Sequence, residues 1–260
     1  MCGRFTLRAA PQDVARHFLL FDVPTFSPRY NIGPGQVVGA IRARGQDSFL
    51  VGPGAASNRE PPLRDEPATP SVDVNREWAW FRWGLIPHWS DDPSIANRLI
   101  NARAETAASK PAFRSAARYR RCLIPADGFY EWKTTPRGKQ PYLVRLHGDR
   151  LFALAGLWDQ WQSPTGEILE TCTILTVEPN SLMARIHNRM PLILPPEAYP
   201  IWLDPTVTQF DDLRDWLRPY PEEEMELVPV SSYVNAIHNE GSRCVEPVAD
   251  SGGLFSDESR

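Results

Sequence analysis

The sequence predicts a single α+β domain with an antiparallel, barrel-like β core and peripheral helices. Short, apolar, strand-sized runs recur along the chain and outnumber its helical stretches. Turn residues such as Pro136, Gly138 and Gly148 separate several of these runs. The chain has 260 residues, 42% hydrophobic and 23% charged, enough to bury one sizeable core without disulfide or metal staples.

Along the chain, residues 11–20 (PQDVARHFLL) read as a short helix, and residues 37–41 and 48–51 as strands. Residues 52–74 are rich in Pro, Gly, Ser and Ala and lack periodicity, which predicts a surface insertion or a flexible loop. Strand-sized runs follow at 78–83, 121–124, 142–146, 151–158 and 170–177. Helices are expected at 104–110, 181–186, 196–202 and 208–217. The domain is expected to span 2–247, with a disordered tail at 248–260.

Composition excludes several classes. No apolar run is long enough to cross a membrane as a helix, and MCGRFTL is not a secretory signal, so an intracellular, membrane-free protein is expected. The four cysteines, Cys2, Cys122, Cys172 and Cys244, form no C-x-x-C pair and no zinc spacing, so neither metal nor cofactor is expected. Cys122 and Cys172 sit in apolar runs and read as buried core thiols. A net charge of −4 is not that of a general polyanion binder, so any nucleic-acid contact must come from a local basic patch. Glu222, Glu223, Glu224 and Glu226 read as solvated surface.

Cys2 stands out by position. If Met1 is removed, one residue carries both a free α-amine and a thiol. An α-amine has a pKa of about 7.7–8.0 against about 10.4 for lysine, so far more of it is neutral and nucleophilic at pH 7. Such an amine attacks aldehydes, and the neighbouring thiol can close a five-membered thiazolidine. By position alone Cys2 reads more simply as incidental. Arg4 beside it could lower the thiol pKa or hold a phosphate, or simply form a surface ion pair.

Other segments are polar where the pattern predicts core. INARAET places Asn101, Arg103 and Glu105 at alternating positions, and DGFYEW sets Glu131 between Tyr130 and Trp132. A carboxyl held among aromatics is desolvated, which raises its pKa toward the range useful for a general acid or base; one reaching solvent is not. His187 lies between an expected helix and an apolar strand, where a histidine can be catalytic or only hydrogen-bonded. Trp83 and Trp89 in FRWGLIPHW could stack bases or fill the core. Arg114, Arg118, Arg120 and Arg121 form a basic run that most simply reads as a solvated helix face.

Taken together, MCGRFTL, PRYNIGPGQ, WGLIPHW, INARAET, RCLIPADGFYEW, KQPYLV, FALAGLW, TILTVEPN, IHNRMPLIL and VNAIHNEGSRCVEP resemble the SRAP (SOS response-associated peptidase) family of abasic-site-processing proteins, in family order from Met1 to about Pro247. Two departures are visible: the long 52–74 insertion, and His238 where the family motif has Lys. The resemblance implies a monomer of bacterial cytoplasm or nucleoid that binds single-stranded DNA containing abasic sites. It implies capture of the ring-opened aldehyde by Cys2, oriented by Asn101, with Glu131 and His187 in acid/base roles. Arg4 and Arg103 would contact phosphates, and Trp83 would help line the DNA groove. Peptidase and abasic-site lyase activities are implied as well. The competing reading is an N-terminal-nucleophile hydrolase of the class II glutamine amidotransferase type, which also begins Met-Cys-Gly and uses its free amine as base. A non-enzymatic single-strand binding module is the third.

Overall fold

Alternation of side chains decides how the strands close. In β4 (Arg76–Trp83), Ala79, Phe81 and Trp83 are buried, while Trp80 and Arg82 face solvent. Its partner β3 (Val37–Ala43) buries Val38, Ala40 and Arg42 in register with them, Val38 opposite Phe81 and Ala40 opposite Ala79. These inward sets, with those of β6 (Arg121–Ala126), β9 (Phe152–Gln162) and β10 (Ile168–Val177), fill one core. This computed structural model describes residues 2–45, 75–136 and 138–249. The strand expected at 48–51, the insertion at 52–74 and the tail from 250 onward lie outside the described residues.

The pairings β4–β3, β3–β6, β6–β9 and β9–β10 are all antiparallel, and β10 returns to β4 in parallel, Thr171 opposite Arg82 and Cys172 opposite Trp83. The ring therefore closes as a five-stranded barrel. The expectation of an antiparallel barrel holds at every contact of the ring but one, and that exception is required. Strand direction alternates at each antiparallel step, so a ring with an odd number of strands must contain a parallel pair. β5 (Asn101–Arg103) continues the line of β4 along β10, also in parallel, Asn101 opposite Ile174 and Arg103 opposite Thr176. The short strands β11 (Met190–Pro191) and β12 (Ile193–Leu194) pair antiparallel with β10 and β9.

A second, wholly antiparallel sheet lies against the barrel in the order β13 (Met225–Pro229), β8 (Gly138–Leu146), β7 (Gly128–Thr135), β1 (Phe5–Leu7), β2 (Arg29–Ile32). The two layers meet where the Phe5 ring stands edge-on to Trp83, 5.4 Å between centroids. Strands β1, β2, β7 and β13 are not among the sequence expectations. The first two are very short, β7 carries polar residues in its apolar pattern, and β13 follows directly on an acidic run. That run is also only partly solvated: Glu226 lies within β13 and pairs with Arg145 of β8 at 2.9 Å.

The helices are short: α1 (Pro11–Phe18), α2 (Ala104–Ala107), α3 (Arg114–Tyr119), α4 (Ser181–Ala184) and α5 (Tyr199–Leu203). The helix expected at 196–202 splits into a 3₁₀ turn, Pro196–Ala198, and α5. The one expected at 208–217 is a 3₁₀ segment, Phe210–Trp216, bounded by i→i+3 bonds such as Asp212 N–H to Gln209 O, 3.1 Å. Among the described residues, no helix is long and apolar enough to cross a membrane.

Candidate functional site

Three strands deliver side chains to one mouth of the barrel. Cys2 lies three residues ahead of the first residue of β1. The pairing of β1 with β7, Phe5 opposite Phe129 and Tyr130 N–H donating to Arg4 O at 2.9 Å, brings Glu131 beside the start of the chain. From the barrel side, β5 presents Asn101, whose Nδ2 donates to the Cys2 carbonyl at 2.9 Å. His187 follows α4 in a turn closed by its N–H on Met183 O, 2.9 Å, and lies close enough to Glu131 to act on its charge.

Cys2 has no exposed surface and Glu131 only 3%, whereas Asn101 and His187 are half-buried. Burial pushes the Cys2 thiol well above its ordinary value, and the Glu131 carboxylate pushes it further; the positive chain terminus opposes both. Burial likewise pushes the Glu131 carboxyl up, against the pull of the terminal amine and of His187. The resulting site holds a protonated thiol beside a carboxylate that is a stronger base than an exposed one. Beside His187 a surface depression of about 640 Å³ is lined by Lys133, Thr134, Glu178, Arg185 and Asn188. Among the described residues, no group of three or more His, Cys, Asp and Glu side chains could hold a metal ion.

Several expectations need correcting. Arg4 does not activate the thiol: its guanidinium turns to Asn31 Oδ1 (2.8 Å), Val234 O (3.0 Å) and Asn235 O (3.3 Å) and lies over the Trp132 ring. These contacts tie Nη1 and Nη2 to β2 and the C-terminal segment. Trp83 is 1% exposed, with its indole N–H donating to Ile100 O at 2.8 Å, so it fixes the segment leading to Asn101 and lines no groove. Trp89, by contrast, is 52% exposed. Arg103 is exposed, as phosphate contact requires. The run from Arg114 to Arg121 is not a uniform solvated face: Arg114 and Arg118 are exposed, but Arg120 pairs with buried Asp159 at 3.1 Å and Arg121 is buried. Cys122 and Cys172 are buried as expected, and Cys244 with them.

Sequence reasoning passed over Asn31. It is 1% exposed, accepts from Arg4, and donates Nδ2 to Val234 O, Ala236 O and Asn239 O at 3.2, 3.0 and 2.9 Å. A hub of this kind straps the C-terminal segment onto β1 and β2. Its signal was available: an amide in the strand RYNI, just before the turn glycines, has no reason to be there unless it is hydrogen-bonded.

A sequence model described as SOS response associated peptidase (SRAP) matches residues 1–237. Abasic site processing protein YoqW of Bacillus subtilis (strain 168) is 39% identical over 250 residues, 95% of this chain and 99% of that protein. Abasic site processing protein HMCES of Gallus gallus is 36% identical over 192 residues, 65% of this chain and 56% of that protein. A solved structure from Bordetella bronchiseptica superposes with a TM-score of 0.67 at 26% identity, covering 88% of this chain and 100% of that one. Another, from Bacteroides thetaiotaomicron, reaches a TM-score of 0.76 over 95% of this chain and 100% of its own, and at 24% identity it speaks to the fold alone.

Proposed function

Because the chain belongs to the SOS response associated peptidase (SRAP) family, we propose that it processes abasic sites in DNA, capturing them in single strands as a covalent adduct of Cys2. The carrying observation is the setting of Cys2: its carbonyl held by Asn101 at 2.9 Å, its thiol buried within electrostatic reach of Glu131.

Removal of Met1 exposes the Cys2 α-amine. The amine attacks C1′ of the ring-opened aldehyde, giving a carbinolamine. Loss of one water, with a proton delivered to the leaving hydroxyl, forms the imine. The thiol then adds across C=N, sulfur to carbon and proton to nitrogen, and closes a thiazolidine. Burial keeps the thiol protonated, so its addition needs a base, and Glu131 is the adjacent one. His187 serves the sugar hydroxyl as the ring opens. Asn101 fixes the approach by holding the Cys2 backbone. An imine left unclosed can eliminate at the β position, which would be lyase chemistry. Glu131 and His187 would also assist self-removal of residues ahead of Cys2, which would account for the family's peptidase label. Arg103 supplies a phosphate contact, and the protein acts as a monomer.

The test is to mix the protein with an oligonucleotide carrying one abasic site and run it under denaturing conditions. A shifted, denaturant-stable band is expected, with mass spectrometry showing Met1 absent. Cys2→Ala, or protein that retains Met1, should form none. A full yield of stable adduct from Cys2→Ala would overturn the proposal.

A further inference from the structure

His187 sits on a loop whose anchor is two residues further on. The Arg189 N–H donates to His187 Nδ1 at 3.0 Å, and the Arg189 carbonyl lies 3.2 Å from the same nitrogen. One backbone unit thus offers Nδ1 a donor when the ring is neutral and an acceptor when it is protonated. A general acid/base has to pass between these two forms, and here either can be held without turning the ring.

The pairing of Met190 with Val177 of β10 holds that backbone unit on one side, and the Arg189 side chain ties it down on the other. That side chain is 12% exposed and forks onto Glu105, Nη1 to Oε1 and Nη2 to Oε2, both at 2.9 Å. Nη2 also donates to Thr176 O of β10 at 2.6 Å. Glu105 belongs to α2, which follows directly on β5, the strand whose Asn101 holds the Cys2 carbonyl. One short piece of chain, Asn101 to Glu105, therefore grips the nucleophile's backbone at one end and the histidine's loop at the other.

We propose that Arg189, anchored by Glu105, is the positioning residue for His187, holding the ring within reach of Glu131 in both of its protonation states. This rests on the proton-transfer role proposed for His187.

The test is a double-mutant cycle on adduct formation with a single-stranded oligonucleotide carrying one abasic site, read as limiting rate and half-saturating DNA concentration. Glu105→Ala should lower the limiting rate about tenfold and leave the half-saturating concentration within about twofold of wild type. Glu105→Gln, which keeps the shape of the side chain and guards against misfolding of the alanine variant, should show the same split with a smaller loss. In a His187→Ala background, Glu105→Ala should cause no further loss. Multiplicative losses in the double variant would overturn the proposal, as would an unchanged limiting rate in both Glu105 variants. A wild-type rate in His187→Ala would also overturn it while leaving capture by Cys2 intact. No adduct from the wild-type protein would defeat the proposed function itself.

Discussion

Arg121 and Glu131 lie in consecutive strands, β6 of the barrel and β7 of the second sheet, and each buries a charged side chain almost completely, 2% and 3% exposed. Their surroundings treat the charge in opposite ways. At the corner of α3, β6 and α5, every arm of the Arg121 guanidinium meets a carbonyl: Nε on Trp202 O at 2.6 Å, Nη1 on Ala117 O and Arg118 O at 2.9 and 3.1 Å, Nη2 on Asp204 O at 2.6 Å. Burial pushes its pKa down to about 10, against the pull of Asp204, so it remains charged at neutral pH and ties two helix ends to the barrel. At the barrel mouth, burial pushes the Glu131 carboxyl up, and its neighbours include a thiol that it destabilises as an anion. A buried charge matched by acceptors holds structure together. A buried carboxyl for which desolvation outweighs its hydrogen bonds is poised for proton transfer.

Substitutions should separate the two. Glu131→Gln should slow adduct formation about 10²–10⁴-fold, the usual worth of a proton-transfer group, and slow adduct release in step, since a group that speeds ring closure must speed ring opening. Release from a preformed adduct, with excess abasic oligonucleotide trapping freed protein, checks this; wild-type release would leave Glu131 only a structural role. The same variant should melt no lower than wild type. The folded chain binds the Glu131 proton more tightly than the unfolded chain does, so this residue's contribution is most favourable below the ordinary carboxylate range. It becomes a cost as pH rises toward the raised folded value. At neutral pH the variant should be the more stable, the gap closing on acidification.

Arg121→Met should do the reverse, costing about 3–5 kcal/mol by stranding its carbonyl partners, while the folded fraction captures abasic DNA at the wild-type rate in the cold. Thermal melting against adduct rate reads both at once, and a rate loss larger than the unfolded fraction would break the distinction. A smaller effect is expected at the rim: Arg103→Glu should weaken single strands of every sequence alike and reduce the salt slope of binding by about one. A sequence-selective loss would mean that Arg103 reads bases. The smallest belongs to Trp83→Phe, which keeps the contact with Phe5 and loses the bond to Ile100 O, about 1 kcal/mol in a denaturant midpoint. Loss of DNA affinity with unchanged stability would return Trp83 to the groove.

Much of this protein is legible without coordinates because the signals are local. Period-two burial marks β4, and a continuous apolar run marks β10, which is buried from Thr171 to Val177. The amine and thiol of Cys2 share one residue, so their chemistry requires no fold, and Asn101, Glu131 and His187 stand out as polar groups in apolar or family-like segments. Tertiary structure decided the rest. The parallel contact of β4 with β10 follows from closing an odd ring, which no segment of sequence contains. Trp83 and Trp89 are one residue type in one short motif; the first is buried because Phe5 arrives from a strand far away in sequence, and the second is left half exposed. Arg121 and its neighbours in the basic run differ only in which of them meets the ends of α3 and α5. In each case the burial of a side chain depends on what packs over it, and here that cover comes from distant parts of the chain.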